Sequence, residues 1–394
     1  AGILNYEVAY DNQEIIAPSK LGVILKEGGA IRDNLPIQQS STSEVDETWE
    51  VIAGMTNTSR DHYQQLQLEM QEAAGLQRKI NYYFRVFDDG VAFRYELPAQ
   101  ESIENFEILT ELTEFSFTAD HACWAQYMPY FNYSYEVDIA ETSIKQLLYD
   151  SMSNQTIIGG GRPIFQRTED LIGIPLTVQI DNGPAIAITE ANLKNFAGMY
   201  LKKDRSDSLK LYTTLAPKRE VEYLAVTGEA SVQSPWRVIM VGETPGDLIA
   251  SNIIINLADP LAVADPSWIK PGKISWEWWT DKMMIKDGKT VHGTLNNELI
   301  KYYVDFSAEM DFDYSQIDWN WYKDDLTESI PELDIPELVK YADQKGVGLF
   351  VWMYWELLDE QFEEALSQFE EWGIKGIKVD FTNSDDQFMV NWFW

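Results

Sequence analysis

Four short segments near the end of the chain combine tryptophan or phenylalanine with carboxylate side chains. Each of them ends or directly follows an apolar run that predicts a β-strand. The segments are Trp276–Trp279, Asp318–Tyr322, Trp352–Glu356 and Lys378–Phe381. Cleavage of a glycosidic bond needs two carboxyl groups, one to protonate the leaving oxygen and one to attack the anomeric carbon or activate water. Because aromatic faces also pack against the apolar face of a sugar ring, the combination favours chemistry on a carbohydrate.

Asp380 is the residue in these segments that packing explains least well. It ends an apolar run and lies two residues after Lys378, whose ammonium group would keep the carboxylate ionised, as a nucleophile must be. We therefore predict that Asp380 is the catalytic nucleophile. We place Asp318, Trp355, Glu356 and Lys378 in the predicted substrate site, with Trp355 as a stacking wall.

The other residues at these strand ends also have structural explanations. A tryptophan near a strand end often packs in the hydrophobic core or anchors a loop. Glu277 or Glu356 could point outward, because neighbouring residues in a strand lie on opposite faces of the sheet. Residues 380–386 are rich in aspartate but lack the central glycine and final glutamate of an EF-hand, so a helix capped by Ser384 explains them better. The four strand ends taken together favour a functional site, whereas no single residue among them does.

Alternating strands and helices are predicted to hold these segments. The predicted strands are Ile274–Trp279, Tyr314–Trp319, Val347–Trp355 and Gly376–Phe381. Three helices are predicted between these strands. The first is capped by Thr294, the second begins near Ile335 and ends at Gly346, and the third is capped by Asp359. Repeated βα units without a glycine-rich phosphate loop favour a (β/α)8 barrel, whose active site lies at the carboxyl ends of its strands. Four strands cannot close a barrel, so we expect the sequence to hold only its first half.

The first part of the chain has a different pattern of short strands and turns. Residues 83–97 alternate around Asp88-Asp89-Gly90 and predict a hairpin. We predict an all-β sandwich over residues 1–259, a proline-rich linker over 260–272 and the half-barrel over 273–394.

Composition excludes several classes of protein. The chain of 394 residues has a net charge of −34, which argues against binding duplex nucleic acid. Cys123 is the single cysteine and there are three histidines, so a cysteine-based zinc site is excluded. No apolar run is long enough to predict a membrane span. The start at Ala1 fits a secreted or periplasmic protein that has lost its signal peptide, or a longer chain cut there, and we expect a monomer or dimer.

Several longer motifs resemble glycoside hydrolase family 97, whose members are bacterial α-glucosidases and α-galactosidases. The matching runs are Arg60–Tyr63, Asp89–Tyr95, Ile188–Leu193, Pro235–Ile239, Ser267–Lys273 and Gly373–Phe381 followed by Asp385-Asp386-Gln387. The resemblance implies a β-super-sandwich, a (β/α)8 barrel and a small C-terminal β domain, with the last domain and half of the barrel beyond Trp394. It also implies a calcium ion in the active site, with Glu190 as a ligand and the other glutamate ligands beyond Trp394.

The same resemblance separates two mechanisms. The retaining branch, typified by α-galactosidases, has an aspartate nucleophile at the end of the fourth strand, where the inverting α-glucosidase branch has glycine. Asp380 occupies that position, so the resemblance implies a retaining exo-α-galactosidase whose acid/base glutamate lies beyond Trp394. Two alternatives stay open: an inverting α-glucosidase that uses Glu356, and a non-catalytic carbohydrate-binding protein.

Overall fold

The computed structural model describes residues 2–131, 133–147 and 171–394. The chain forms two compact units, which we call the β unit (Ala1–Ala264 with Asn383–Trp394) and the α/β unit (Asp265–Thr382). The sequence pattern predicts that residues 383–394 belong to the second domain, whereas their contacts lie within the β unit. The predicted domain boundaries themselves stay predictions.

The β unit is built from short antiparallel strands, as the sequence predicts. They are β1 (Asn5–Tyr10), β2 (Gln13–Lys20), β3 (Val23–Leu25), β4 (Gly29–Ile31), β5 (Ile37–Glu50), β6 (Thr58–Gln71), β7 (Lys79–Phe87), β8 (Gly90–Leu97), β9 (Asn105–Glu111), β10 (Glu114–Ser116), β11 (Ala122–Met128), β12 (Ile139–Ser143), β13 (Leu171–Ile172), β14 (Leu176–Gln179), β15 (Ala185–Ala191), β16 (Met199–Lys203), β17 (Lys210–Leu215), β18 (Val226–Glu229), β19 (Val232–Gln233) and β20 (Trp236–Gly242). Two short helices follow, α1 (Pro245–Ala250) and α2 (Ile253–Asn256).

These strands form two sheets in the described residues. The larger has sixteen strands in the order β1-β2-β10-β17-β16-β13-β11-β14-β15-β20-β8-β7-β6-β5, with β12 beside β11 and β19 beside β8. The smaller has the order β18-β9-β3-β4. Alternate side chains of the strands bury one large apolar core, which includes Ile15, Ile108, Phe115, Val178 and Tyr200.

The predicted hairpin over residues 83–97 is present as β7 and β8. The two strands pair antiparallel, with Phe84 opposite Phe93 and Phe87 opposite Gly90. Glycine is required at position 90 because a Cβ there would lie 2.6 Å from the carbonyl oxygen of Ile239 on β20.

The α/β unit alternates parallel strands and helices. Its elements are β21 (Ile274–Trp276), β22 (Met283–Lys286), β23 (Lys289–His292), α3 (Asn297–Glu309), β24 (Tyr314–Ile317), α4 (Ile335–Lys345), β25 (Gly348–Tyr354), α5 (Trp355–Glu360), α6 (Phe362–Trp372) and β26 (Gly376–Asp380). Within residues 265–382, all of which the structure describes, β21-β24-β25-β26 form a parallel sheet and β22-β23 form a separate hairpin. The protein therefore has a β-rich multidomain fold that begins with a sandwich. That the α/β unit is half of a (β/α)8 barrel stays a prediction.

Several element ends differ from the predicted ones because local capping prevails over apolar pattern. The first strand stops at Trp276, since residues 278–280 form a turn of 3-10 helix. Asn296, not Thr294, caps α3 by accepting a hydrogen bond from the Leu299 amide. Asp359 lies inside α5, which starts directly after β25, and Gln361 is the residue that precedes α6. The predicted α4 and its stop at Gly346, with φ of 75°, are confirmed.

Residues 383–394 are held to the β unit by side-chain contacts around the start of α7 (Gln387–Phe393). Asp386, not Ser384, caps this helix, and its Oδ2 lies 2.8 Å from Nε of Arg219. The hydroxyl of Tyr135 donates a 2.7 Å hydrogen bond to Asp385. None of the helices in the described chain combines the length and apolarity that crossing a bilayer requires.

Candidate active site

The carboxyl ends of the four parallel strands lie at one edge of the sheet in the α/β unit. Trp276 pairs with Gln316 across β21 and β24, and Tyr354 pairs with Asp380 across β25 and β26. Because parallel strands end at the same edge, the segments that sequence analysis singled out lie side by side. This edge positions the candidate site.

Asp380 is the last residue of β26, and three donors surround its carboxylate. Trp352 Nε1 donates to Oδ2 at 2.8 Å and the Phe381 amide donates to Oδ1 at 2.7 Å. Lys378 Nζ lies 3.4 Å from Oδ2. Burial raises the pKa of Asp380, but the two hydrogen bonds and the Lys378 charge outweigh it and hold the pKa below its usual value. The side chain is 39% exposed, so the site combines an ionised carboxylate with access for a ligand.

Lys378 links Asp380 to the second predicted carboxylate, Asp318. Its Nζ lies 3.5 Å from Asp318 Oδ2 and 3.9 Å from the centroid of the Trp276 ring. Asp318 is almost fully buried and also accepts hydrogen bonds from Trp276 Nε1 at 2.7 Å and from Gln316 Nε2 at 2.5 Å. Three protein groups therefore approach Oδ2 of Asp318, and because this residue is almost fully buried, Lys378 is the more accessible of the two groups.

Trp355 and Glu356 begin α5 immediately after β25. The helical turn directs Trp355 into the interior, where 8% of the residue stays exposed, so it offers little ring surface for a sugar. Glu356 is exposed on the first turn of the helix. The stacking wall expected from Trp355 is therefore not formed by that residue.

Exposed indole rings occur instead after β21 and β24. Trp279 is 74% exposed and Trp278 and Trp319 are each more than two-fifths exposed. The rings of Trp278 and Trp279 stack on Trp276, with centroids 5.2 and 5.5 Å away. These tryptophans belong to the strand-end segments found in the sequence. The sequence alone did not show which of the indole rings are exposed and which are buried.

Glu277, which sequence analysis allowed to point outward, is fully buried. Its Oε1 accepts a 2.9 Å hydrogen bond from the Asp318 amide, while Oε2 has no hydrogen-bond partner in the described structure. Burial raises the pKa of Glu277 to about 7. The signal in the sequence that could have singled out Glu277 is a carboxyl residue flanked by three tryptophans. Whether its side chain points inward depends on where β21 ends, which the sequence pattern did not give.

Glu190 lies on β15 in the β unit, and protein donors bind both of its carboxylate oxygens. The Met199 amide donates to Oε1 at 3.0 Å, and Arg237 Nη1 donates to Oε2 at 2.5 Å. Arg237 is also paired with the buried Glu111. Within the described ranges no group of three or more His, Cys, Asp or Glu side chains could hold a metal ion. Because calcium takes six to eight oxygen ligands, Glu190 alone would not hold the ion.

Comparison with known proteins covers both units. Residues 1–260 match the model of the glycosyl-hydrolase 97 N-terminal domain, and residues 278–394 match that of glycoside hydrolase 97. A retaining alpha-galactosidase of Bacteroides thetaiotaomicron is 28% identical over 98% of this chain and 58% of its own length. A probable retaining alpha-galactosidase of Streptomyces bingchenggensis is 26% identical over 100% of this chain and 56% of its own length.

Solved structures agree with this assignment. A glycoside hydrolase family 97 enzyme from Pseudoalteromonas sp. strain K8, solved in complex with acarbose, matches with a TM-score of 0.81 and 26% identity over 99% of this chain and 60% of its own. A β-arabinopyranosidase matches with a TM-score of 0.79 and 22% identity over 99% of this chain and 60% of its own, which supports the fold alone. The chain thus spans less than two thirds of the relatives it matches. By its two family matches, the chain belongs to glycoside hydrolase family 97.

Proposed function

We propose that the protein is a retaining, exo-acting α-glycoside hydrolase whose substrates carry a terminal α-linked galactose. The observation that carries the proposal is the ionised, part-exposed carboxylate of Asp380 at the end of β26, hydrogen-bonded by Trp352 and flanked by Lys378. The names of the two curated relatives, which are similar over nearly the whole chain, support the choice of galactose.

In the proposed reaction Asp380 attacks the anomeric carbon as the bond to the leaving oxygen breaks. Oδ1 has one donor, the Phe381 amide, whereas Oδ2 faces both Trp352 and Lys378, so we assign the attack to Oδ1. The product is a glycosyl ester of Asp380. Water hydrolyses this ester by attack from the face that the leaving group occupied, opposite Asp380, which releases the sugar with retained configuration and frees the carboxylate. A second carboxyl group must protonate the leaving oxygen and then activate water. We assign that role to none of the residues in the described ranges.

Lys378 and the exposed indoles account for binding in this proposal. The ammonium group of Lys378 is about one-third exposed and can donate to a sugar hydroxyl while it balances the charge of Asp380. Trp278, Trp279 or Trp319 would pack against the apolar face of the ring. These assignments replace the stacking role first expected of Trp355.

The stereochemistry of the product tests the proposal against the inverting alternative. Hydrolysis of nitrophenyl α-galactoside followed by NMR should give α-galactose first. Appearance of β-galactose first would support the inverting mechanism that uses the exposed Glu356.

Substitution of the nucleophile separates an enzyme from a non-catalytic binding protein. Asp380→Asn should reduce turnover by about 1,000-fold or more, because the amide cannot form the glycosyl ester. Asp343→Asn on α4, an exposed aspartate outside the site, is the matched control and should retain full turnover. Equal turnover in wild type and Asp380→Asn would refute the nucleophile. No turnover of any α-glycoside by wild type would favour the binding protein.

Calcium and location are separate proposals. The resemblance to the family is what supports Glu190 as a calcium ligand; the described residues do not form a calcium site by themselves, so we assign no step to the ion. If the proposal is right, added calcium should raise the melting temperature of wild type and leave that of Glu190→Gln unchanged. We also propose a periplasmic or secreted location, with which the resemblance to the family and the net charge of −34 are compatible.

A further inference from the structure

The side chain of Glu277, at the end of β21, is completely enclosed although it carries a carboxyl group. One oxygen accepts the amide proton of Asp318, and the other has no hydrogen-bond partner in the part of the chain that the structure describes. An ionised carboxylate in such a place would be costly, because neither water nor a hydrogen-bond donor compensates Oε2. A proton on this carboxyl group removes most of that cost.

A short series of contacts connects Glu277 with the proposed nucleophile. Glu277 holds the main chain of Asp318, and the Asp318 carboxylate lies 3.5 Å from Lys378 Nζ. The same ammonium group lies 3.4 Å from Asp380. Displacement of the Asp318 main chain would therefore change how Lys378 is shared between the two aspartates.

The charged and titratable groups that face Glu277 come from three neighbouring segments. Asp318 approaches from the end of β24, Lys282 from the turn after the 3-10 helix, and Tyr303 from α3. Burial is the largest influence and raises the pKa of Glu277 to about 7. The hydrogen bond from the Asp318 amide and the charge of Lys282 favour ionisation and the charge of Asp318 opposes it, but burial outweighs them.

We propose, building on the proposed function, that Glu277 is a positioning residue: its neutral carboxyl group fixes the Asp318 main chain, so that the Lys378 ammonium group is shared between the Asp318 and Asp380 carboxylates. Ionisation of Glu277 places a further negative charge beside Asp318 and disturbs this arrangement. The residue does not touch the reacting atoms and acts through Asp318.

Two substitutions separate the hydrogen bond from the charge. Glu277→Gln keeps an oxygen that can accept from the Asp318 amide but cannot ionise, whereas Glu277→Ala removes the acceptor. With nitrophenyl α-galactoside, kcat/KM of wild type should fall as the pH rises through about 7, and Glu277→Gln should keep its activity through that range. Glu277→Ala should lose at least tenfold at every pH. A loss in Glu277→Gln as large as that in Glu277→Ala, or a fall near pH 7 that persists in Glu277→Gln, would overturn the proposal.

Two further measurements do not depend on activity. Hydrogen exchange of the Asp318 amide should be slow in wild type and Glu277→Gln and fast in Glu277→Ala. In protein labelled with ¹³C at glutamate carboxyl groups, the signal missing from Glu277→Gln should titrate near pH 7. If wild type hydrolyses no α-glycoside, the proposed function fails, while these two readouts still decide the role of Glu277. A signal already ionised at pH 5, or equal exchange rates in all three proteins, would refute it.

Discussion

Replacement of Glu277 by glutamine should change how the stability of the protein depends on pH. The folded state raises the pKa of Glu277 from its ordinary value of 4.5 to about 7. Between these values the folded protein keeps a proton that the unfolded chain releases, so the contribution to stability is complete below pH 4.5 and is lost as the pH rises to about 7. At 1.36 kcal/mol for each pKa unit, the loss is about 3 kcal/mol in full, and most of it, about 2–3 kcal/mol, falls between pH 5 and pH 8.

Urea unfolding followed by tryptophan fluorescence is a suitable assay, because nine of the 14 tryptophans lie in the α/β unit. The free energy of unfolding of Glu277→Gln relative to wild type should rise by about 2–3 kcal/mol from pH 5 to pH 8. Glu364→Gln, an exposed glutamate on α6, is the matched control and should follow wild type at both pH values. A constant difference between Glu277→Gln and wild type would refute the reasoning, as would one that shrinks with rising pH.

Three further predictions concern single contacts. Trp352→Phe removes the 2.8 Å hydrogen bond to Asp380, so the pKa of that carboxyl should rise and the acidic limb of the kcat/KM profile should move to higher pH; an unmoved limb would contradict this. Gly90→Ala should destabilise the β unit by about 1–3 kcal/mol, since its Cβ would meet the Ile239 carbonyl oxygen, and an unchanged melting temperature would show that this turn can relax. Asp386→Ala should cost at least about 1 kcal/mol in urea unfolding, because it removes both the α7 cap and the ion pair with Arg219, whereas equal stability would mean that neither contact stabilises the fold.

The sequence was informative where a chemical pattern coincided with a buried parallel strand. Asp380 and Lys378 follow an apolar run, and the structure brings both to the sheet edge with Asp318. Alternating residues likewise predicted the hairpin of β7 and β8. In each case the signal was local, so it did not require knowledge of distant partners.

Predictions from the sequence were wrong or left open where the direction of a side chain depended on the end of a strand or helix. Trp355 was expected to continue a strand, but α5 starts at that residue and turns the indole inward. Glu277 was left open because its burial depends on the end of β21 and on the Asp318 amide across the sheet. Similarly, nothing near Glu190 in the sequence indicates its ion pair with Arg237, which comes from a neighbouring strand.

Trapping of the covalent intermediate tests the central claim most directly. The protein would be incubated with a 2-fluoro-α-galactosyl substrate that carries a good leaving group, digested, and sequenced by mass spectrometry. We predict one added fluorogalactosyl group, attached to Asp380 and absent from the Asp380→Asn variant. A label on another carboxylate, or turnover of the α-galactoside with β-galactose as the first product, would contradict the assignment of Asp380 as the nucleophile.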